Sequence, residues 1–309
     1  QRHLTIPCEM CIRDSFVIAR RISQPLVGMA LAAQAVAAGD LNQSVPQDAA
    51  VAELDTLGRA FNGMTASLRQ SDQAKTAFIS DVSHELRTPL TVIKGTIETL
   101  QDGALDDLEA RGPFLDSMNR ETERLIRLVN DLLVLTRADA GALQLRVHEI
   151  DLGALARARC QALQTLASGK GVALSAPAQE VHCMLQADPD RIAQVLDNLL
   201  HNAIRYTPAG GEISVEVNRQ GDWAACRVND SGTGIPAEHL PRIFERFYRV
   251  EAARERNRIP LRDGGETGSG LGLAIVRSLV LAHGGTVEAA STPGKGTSIT
   301  FRLPCAAKS

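Results

Sequence analysis

The sequence has no run of 18 apolar residues, so no segment of it reads as a complete membrane-spanning helix. Aromatic residues make up only 3%, with one Trp and two Tyr, a composition that suits helix-rich segments built on Ala, Leu and Arg. Neither sign of charge dominates: 33 basic residues stand against 36 acidic, a formal net charge of -3. That argues against a nucleic-acid binder working by bulk electrostatics. The six cysteines (Cys8, Cys11, Cys160, Cys183, Cys226, Cys305) are scattered, which gives neither a disulfide scaffold nor a zinc cluster and makes a reducing compartment the default. What is present is 44% hydrophobic residues, enough to pack cores and to exclude wholesale disorder. At 309 residues the chain exceeds what one core usually organises, so two or three domains are expected.

The first residues need separate treatment. Cys8-Glu9-Met10-Cys11 has the spacing of half a metal site, but no second pair stands nearby. Met10-Cys11-Ile12-Arg13-Asp14-Ser15 is what ATG TGT ATA AGA GAC AGN encodes when N is a pyrimidine, which looks like a transposon adaptor used in DNA library preparation. Residues 1–15 are therefore expected to be a sequencing artefact, with the true upstream protein missing, and carry no weight for the fold. Phe16-Val17-Ile18-Ala19 before Arg20-Arg21 resembles the last turn of an apolar helix meeting a basic cytoplasmic edge. Residues 16–21 are read as the remnant of a transmembrane helix.

Two heptad seams follow. Ile22, Leu26, Met29, Ala33 and Val36 alternate spacings of 4 and 3, and Gly39-Asp40 breaks the pattern. After a polar connector with Pro46, a second seam runs Leu54, Leu57, Phe61, Met64, Leu68. The pattern continues into a longer helix, about Ser71 to Leu100, with the stripe Phe78, Val82, Leu86, Leu90, Ile93, Ile97, Leu100. Asp102-Gly103 ends it. A further helix carries Leu115, Met118, Thr122, Leu125, Val129 and Leu132. These last two helices predict an antiparallel hairpin, and seams this wide demand a partner, so two hairpins are expected to form a four-helix homodimer.

After about Arg146 the texture changes. Strand-like runs (Gly211 to Val217, Ala224 to Val228, Thr286 to Ala290, Ser298 to Leu303) alternate with helical ones (Asp188 to Tyr206, Leu271 to His283). Glycines crowd Gly264 to Gly296, so an α/β or α+β domain with a glycine-lined site is expected.

One histidine stands out by its surroundings. His84 is two residues past Val82, about 200° around a helix, so the Val82, Leu86, Leu90 stripe faces inward and His84 faces out. Its neighbours are Ser83-His84-Glu85-Leu86-Arg87-Thr88-Pro89-Leu90. A zinc protease needs a second His four residues on, where Thr88 stands, which rejects that reading. There remain an exposed imidazole, an adjacent carboxylate, and Pro89, which frees a backbone carbonyl and bends the helix.

This octapeptide resembles the H-box of sensor histidine kinases, and further motifs follow in that family's order. Asn198-Leu199-Leu200-His201-Asn202-Ala203-Ile204-Arg205-Tyr206 looks like the N-box, and Asp230-Ser231-Gly232-Thr233-Gly234-Ile235 like the first glycine box. Phe244-Glu245-Arg246-Phe247-Tyr248 resembles the F-box. Gly268-Ser269-Gly270-Leu271-Gly272-Leu273 and Gly294-Lys295-Gly296-Thr297 resemble the second and third glycine boxes. The two short seams and their connector resemble a HAMP linker, with Pro25, Glu53, Gly58 and Phe61-Asn62 matching its usual features. The resemblance covers about residues 20 to 305. It implies a multidomain chain: a HAMP linker over 22–72, a dimerisation and phosphotransfer hairpin over 73–140, and an ATP-binding α+β sandwich of helices on a mixed sheet over 147–305.

Each motif also has a physical reading. Asn198 and Asn202 are four apart, so their amides share a helix face and can hold Mg²⁺ together with triphosphate oxygens. Arg205 is placed to reach a phosphate, where the family often has Lys, which keeps the charge but changes its geometry. Tyr206 is placed to stack near adenine. Asp230 can accept a hydrogen bond from the adenine amino group while Gly232 and Gly234 let the backbone approach the base. Gly268, Gly270, Leu271 and Gly272 open a helix whose backbone N–H groups face phosphate, and Thr297 belongs to the third box. The polar, Arg-rich stretch from Tyr248 to Gly268 fits a mobile lid.

The resemblance then implies an autokinase. His84 attacks the γ-phosphorus of ATP, an imidazole being largely neutral at pH 7, and Glu85 orients the ring and takes its other proton. The phosphoryl group passes to an aspartate of a response regulator. Thr88, one turn on, is placed to position a water for the regulator's dephosphorylation. The implied setting is the cytoplasmic side of a bacterial inner membrane, with no role for nucleic acid. Two rivals stay open on residues alone: another ATPase of the same superfamily (chaperone, mismatch-repair or topoisomerase type) and a non-catalytic signalling scaffold. Neither the stimulus nor the cognate regulator is readable from this chain.

Overall fold

The computed structural model describes residues 6–47, 51–104, 107, 111–178, 182–250 and 269–305, with side chains from residue 20 onward. The Cys8–Cys11 side chains, most of the expected lid and Gly268 lie outside the described residues. Contacts divide the chain into two units, Gln1–His84 and Glu85–Ser309.

In the first unit, α1 (Ile6–Ala37) includes residues assigned above to the adaptor, and α2 begins at Ala52. Gly39, at φ 99°, ends α1 in the left-handed region, which costs glycine little. The connector returns along α2 because Asn62 brackets it. The Val45 N–H donates to Asn62 Oδ1 and Asn62 Nδ2 donates to the Val45 carbonyl, each at 2.9 Å. A Cβ on Gly58 would sit 3.3 Å from the Pro46 carbonyl oxygen and 3.4 Å from Met29 Cε, so the close approach of the connector favours glycine there.

Met29, Ala32 and Val45 form the small core, with Phe61 packed on it. The expected seams are covered only in part. Ala32 and Thr65 are buried in place of Ala33 and Met64, and Ile22, Leu26, Leu57, Met64 and Leu68 remain exposed. Within one chain each helix has a single neighbour, which covers one side of a heptad stripe and leaves the other to water.

The second seam runs on into the hairpin helix: α2 is one helix of 48 residues, Ala52–Thr99, Pro89 included. Its second half opens the second unit. A single π-type turn, Leu100–Ala104, ends it, with Gly103 at φ 120°, and α3 (Arg111–Asp139) follows. The inward stripe also needs correction. Leu86 is half-buried against the main core and Pro89 is buried, but Leu90 is 54% exposed, as are Ile97, Leu115 and Val129 to lesser degrees. One hairpin buries one side of each seam at most; the buried α3 residues Leu128, Val134 and Leu135 belong to the main core shared with the sandwich.

The remainder is a layer of helices on a sheet. The strands are β1 (His148–Asp151), β2 (Ala173–Ser175), β3 (Met184–Ala187), β4 (Glu212–Gln220), β5 (Trp223–Asp230), β6 (Thr286–Thr292) and β7 (Gly296–Pro304). The helices are α4 (Leu152–Gly169), α5 (Pro189–Tyr206) and α6 (Gly272–Ala282). The main sheet has the order β2-β4-β5-β7-β6, with β2 and β4 parallel and the other pairs antiparallel; β1 and β3 form a separate antiparallel ribbon. Alternation sets the faces. Ile213, Val215 and Val217 turn inward with Cys226, Val228, Phe301 and Leu303, while Glu216 and Arg227 face out. Cys160, Cys183 and Cys226 are buried thiols of this core, as small apolar side chains are.

Candidate active site

α5 carries the first group of candidate residues. Its start is strongly specified: Pro189 stands at the first turn and Asp188 caps it, accepting from the N–H groups of Asp190 and Arg191 at 3.1 and 3.2 Å. The Arg146 N–H donates to the same carboxylate at 2.8 Å, and the Asp188 N–H donates to His283 Nε2 at 3.1 Å. These contacts fix the helix so that Ile192, Val195, Leu196, Leu199 and Leu200 are buried and the amides of Asn198 and Asn202 point along one side. That side meets the first turn of α6. A Cβ built on Gly272 would lie 3.5 Å from Asn198 Oδ1 and 3.8 Å from Asn202 Nδ2.

The far end of α5 is held by a residue that sequence reasoning missed. Lys170 Nζ donates to the carbonyls of Ile204 and Arg205 at 2.7 and 2.5 Å, a cation on the negative end of the helix. Burial, with the nearby Arg205 charge, holds the Lys170 ammonium below its ordinary value. The Arg205 guanidinium lies over the Tyr206 ring at 5.3 Å, and Tyr206 is 40% exposed. No local pattern marks Lys170, because its partners are 34 and 35 residues away.

Asp230 ends β5 opposite Thr297 of β7. Its Oδ1 accepts from the Gly232 N–H at 2.8 Å and the Thr297 N–H at 3.2 Å. Burial raises its carboxyl above the ordinary carboxylate value, and these two donors oppose that. Around it the first and third glycine boxes are stitched together: the Gly294 N–H donates to the Thr233 carbonyl at 2.8 Å and the Ile235 N–H to Ser291 Oγ at 2.7 Å.

Glycine is demanded where backbones nearly touch. A Cβ at Gly232 would fall 2.6 Å from the Tyr206 carbonyl oxygen, one at Gly234 2.2 Å from that of Thr292, and one at Gly296 1.8 Å from that of Asp230. The second glycine box joins through Gly270, whose carbonyl accepts from the Phe247 N–H at 3.0 Å. Leu271 is fully buried at the N-terminus of α6, its N–H donating to Ser269 Oγ at 3.3 Å.

Asn198, Asn202, Arg205, Tyr206, Asp230, Gly232, Gly234, Gly270, Leu271, Gly272 and Thr297 thus gather at one end of the sandwich. One feature of this place fits the phosphates of a nucleotide. Asn198 Nδ2 is buried with no hydrogen-bond partner among the described residues, an N–H donor that calls for an acceptor such as a phosphate oxygen. Neutral amide oxygens are donors that suit Mg²⁺ better than a softer metal.

His84, Glu85 and Thr88 lie on α2. His84 and Thr88 are exposed and one turn apart, and Glu85 is half-buried.

A phospho-acceptor helix pair together with a glycine-walled sandwich defines a class. Residues 17–70 match the HAMP domain and 74–141 the His Kinase A (phospho-acceptor) domain. Residues 187–307 match the histidine kinase-, DNA gyrase B-, and HSP90-like ATPase. The chain belongs to the two-component sensor histidine kinases.

Among its relatives is the sensor histidine kinase WalK of Bacillus subtilis (strain 168), 39% identical over 235 residues, 75% of this chain and 37% of WalK. Another is the signal transduction histidine-protein kinase BaeS of Escherichia coli (strain K12), 33% identical over 290 residues, 94% of this chain and 59% of BaeS. The chain therefore spans less than two thirds of either. Among solved structures it resembles histidine kinase ThkA in complex with response regulator protein TrrA (TM-score 0.57, 25% identity, 77% of this chain and 64% of that one). It also resembles full-length ShkA in complex with AMPPNP (TM-score 0.55, 28% identity, 77% and 46%).

Proposed function

We propose that this chain is the cytoplasmic part of a membrane-anchored autokinase that phosphorylates His84 from ATP and passes the phosphoryl group to an aspartate of a response regulator. The observation that carries the reading is the meeting of Asn198, Asn202 and Gly272 at the start of α6, with the buried Asn198 amide nitrogen left without a partner among the described residues. The AMPPNP complex of ShkA supports nucleotide use, and the regulator complex of ThkA supports the kind of partner. The working segments are a HAMP linker over 22–72, a hairpin over 73–140 and a catalytic domain over 147–305, with 16–21 the end of a membrane helix.

Asp230 accepts from the adenine amino group, Gly232 and Gly234 admit the base, and Tyr206 lies beside it. Asn198 and Asn202 hold Mg²⁺, which neutralises phosphate charge when bound. Arg205, Gly268, Gly270, Leu271, Gly272 and Thr297 surround the phosphates, where N–H groups at the start of α6 favour an anion. His84 supplies the ring nitrogen that attacks, and Glu85 accepts the proton of the other. Thr88 offers its hydroxyl to a water for the reverse duty, dephosphorylation of the regulator. The exposed seam residues Leu90, Ile97, Leu115 and Val129 support a homodimer through a four-helix bundle.

The test is chemical. ATP labelled in the γ-phosphate should leave an acid-labile, base-stable label on the chain. His84→Gln should abolish that label while ATP affinity by titration stays unchanged, since the nucleotide residues all follow Arg146. Base-stable label on His84→Gln protein would refute the assignment.

A further inference from the structure

Glu85 is held by the opposite helix of its hairpin. Its side chain is 20% exposed and turned against α3, where Arg124 Nη2 stands 3.8 Å from Glu85 Oε2. The same guanidinium presents Nη1 to Glu121 Oε2 at 3.6 Å. That Glu121 oxygen is buried and has no hydrogen bond among the described residues, where the Arg124 guanidinium is the cation facing it. One cation thus serves two carboxylates, one on each helix. A planar guanidinium can do this, with donors on two edges; a lysine ammonium is a point charge and does it less well.

Two magnitudes decide what such an arrangement is for. Ion pairs of this length and partial exposure contribute little, so the cluster does little for stability. Placement of a general base is worth far more, since proton transfer by a positioned group contributes about a hundred- to ten-thousandfold. Adjacent helix residues stand about 100° apart, and few conformations of a free glutamate return its carboxylate toward the preceding side chain. Restricting it in advance removes that entropic cost from the reaction.

We propose that Arg124 is a positioning residue for phosphoryl transfer to His84, holding the Glu85 carboxylate close to its helix, with Glu121 competing for the same guanidinium. The inference rests on the reading of His84 as phosphoryl acceptor. In the step concerned, the N–P bond forms as the bond from the γ-phosphorus to the β–γ bridging oxygen breaks. The electron pair of that bond leaves with ADP, and the proton of the other ring nitrogen passes to Glu85. Arg124 touches none of the reacting atoms.

The experiment uses the full chain, ATP and initial rates of His84 labelling. Arg124→Gln should lower kcat about ten- to a hundredfold with the KM for ATP and the melting temperature unchanged. Arg124→Lys should recover part of the loss, because the charge remains. Glu121→Gln should be at least as fast as the unsubstituted chain, its competitor for Arg124 having gone. The Glu85→Gln, Arg124→Gln double variant should be no slower than Glu85→Gln alone, as for residues acting through one another. Losses that add in the double variant, or a change confined to KM, would overturn the proposal. Label surviving in His84→Gln protein would instead overturn the acceptor assignment on which it rests. If His84→Gln is unlabelled and the two losses add, only the role of Arg124 fails.

Discussion

The helical segments and the sandwich differ in how far one chain completes them. In the sandwich, Leu196, Leu200, Ile213, Leu271, Ile275 and Phe301 are wholly buried, and every layer has its counterpart within the chain. Along α1, α2 and α3 the apolar stripes are half covered: Leu26, Met64, Leu90 and Leu115 are each more than 40% exposed. Both regions have enough apolar residues. The helices arrange them on stripes that a single neighbour cannot enclose, whereas a sheet face presents all its inward side chains to one helical layer. The lesson concerns function as much as folding. The sandwich, proposed above to bind nucleotide, closes its core within the chain, and the region that carries His84 leaves apolar surface uncovered.

The largest expected effect separates the two regions directly. Leu196→Ala opens a cavity in the closed core and should cost about 2–5 kcal/mol, read as a fall in the urea midpoint and a loss of ATP binding. Val129→Glu, on the exposed stripe of α3, should leave ATP binding intact yet convert a dimer to monomers by hydrodynamic size, since burying that side chain is worth about 1.5–3 kcal/mol per copy. If Val129→Glu left the mass unchanged, the stripe would have another occupant and the comparison would break.

A smaller effect sharpens the nucleotide half. Asp230→Asn exchanges part of an acceptor for a donor at the site already fed by the Gly232 and Thr297 N–H groups. A hydrogen bond to a charged group is worth about 1.5–3 kcal/mol, so ATP affinity should fall about tenfold or more. Unchanged affinity by calorimetry would remove Asp230 from adenine recognition.

The smallest effect is in pH dependence, and its sign differs between the regions. In α3, burial pushes the Asp131 carboxyl up to about 6, against the pull of Arg127. The folded state then holds a proton that the unfolded state releases, so stability is lost as pH rises from the ordinary carboxylate value through about 6. In the sandwich, burial of Asp151 is outweighed by hydrogen bonds from the Cys183 N–H, His182 and the first turn of α4, and its carboxyl falls to about 2. That contribution is present above the ordinary value near 3.8 and is lost as pH falls toward 2. Asp131→Asn should therefore stabilise the chain at pH 7, and Asp151→Asn should destabilise it there and flatten the acid limb. Urea midpoints across pH 3 to 8 test both signs.

Much of this was legible in advance because it is local. Spacings of 3 and 4 define helices wherever they fold, and the stretch from Ser83 to Leu90 places an exposed imidazole beside a carboxylate with no tertiary information. The strands over 212–220, 223–230, 286–292 and 296–304 stood out for the same reason, each being long enough to show alternation or apolar content. The stretch from His148 to Ala187 did not. Its strands have three or four residues, too few for a period of two to register, and α4 begins directly after β1 with only Asp151 as a cap. The continuity of α2 was legible too, because the spacing of 3 and 4 carries on from the second seam into the hairpin stripe.

Motif order, helix faces and the kinds of side chain able to meet a nucleotide were determined by the sequence alone, since each depends on residues within a few turns of one another. Only the tertiary structure decided that Asn198 Nδ2 has no partner among the described residues, that Lys170 closes the end of α5, and that Arg124 is shared between Glu85 and Glu121. Those contacts join residues about 35 or more positions apart in two of the three cases, Lys170 with α5 and Arg124 with Glu85. Nothing local encodes them: they exist because packing of α4 against α5, and of α2 against α3, brings polar atoms together where water is scarce and each must find a partner or go without.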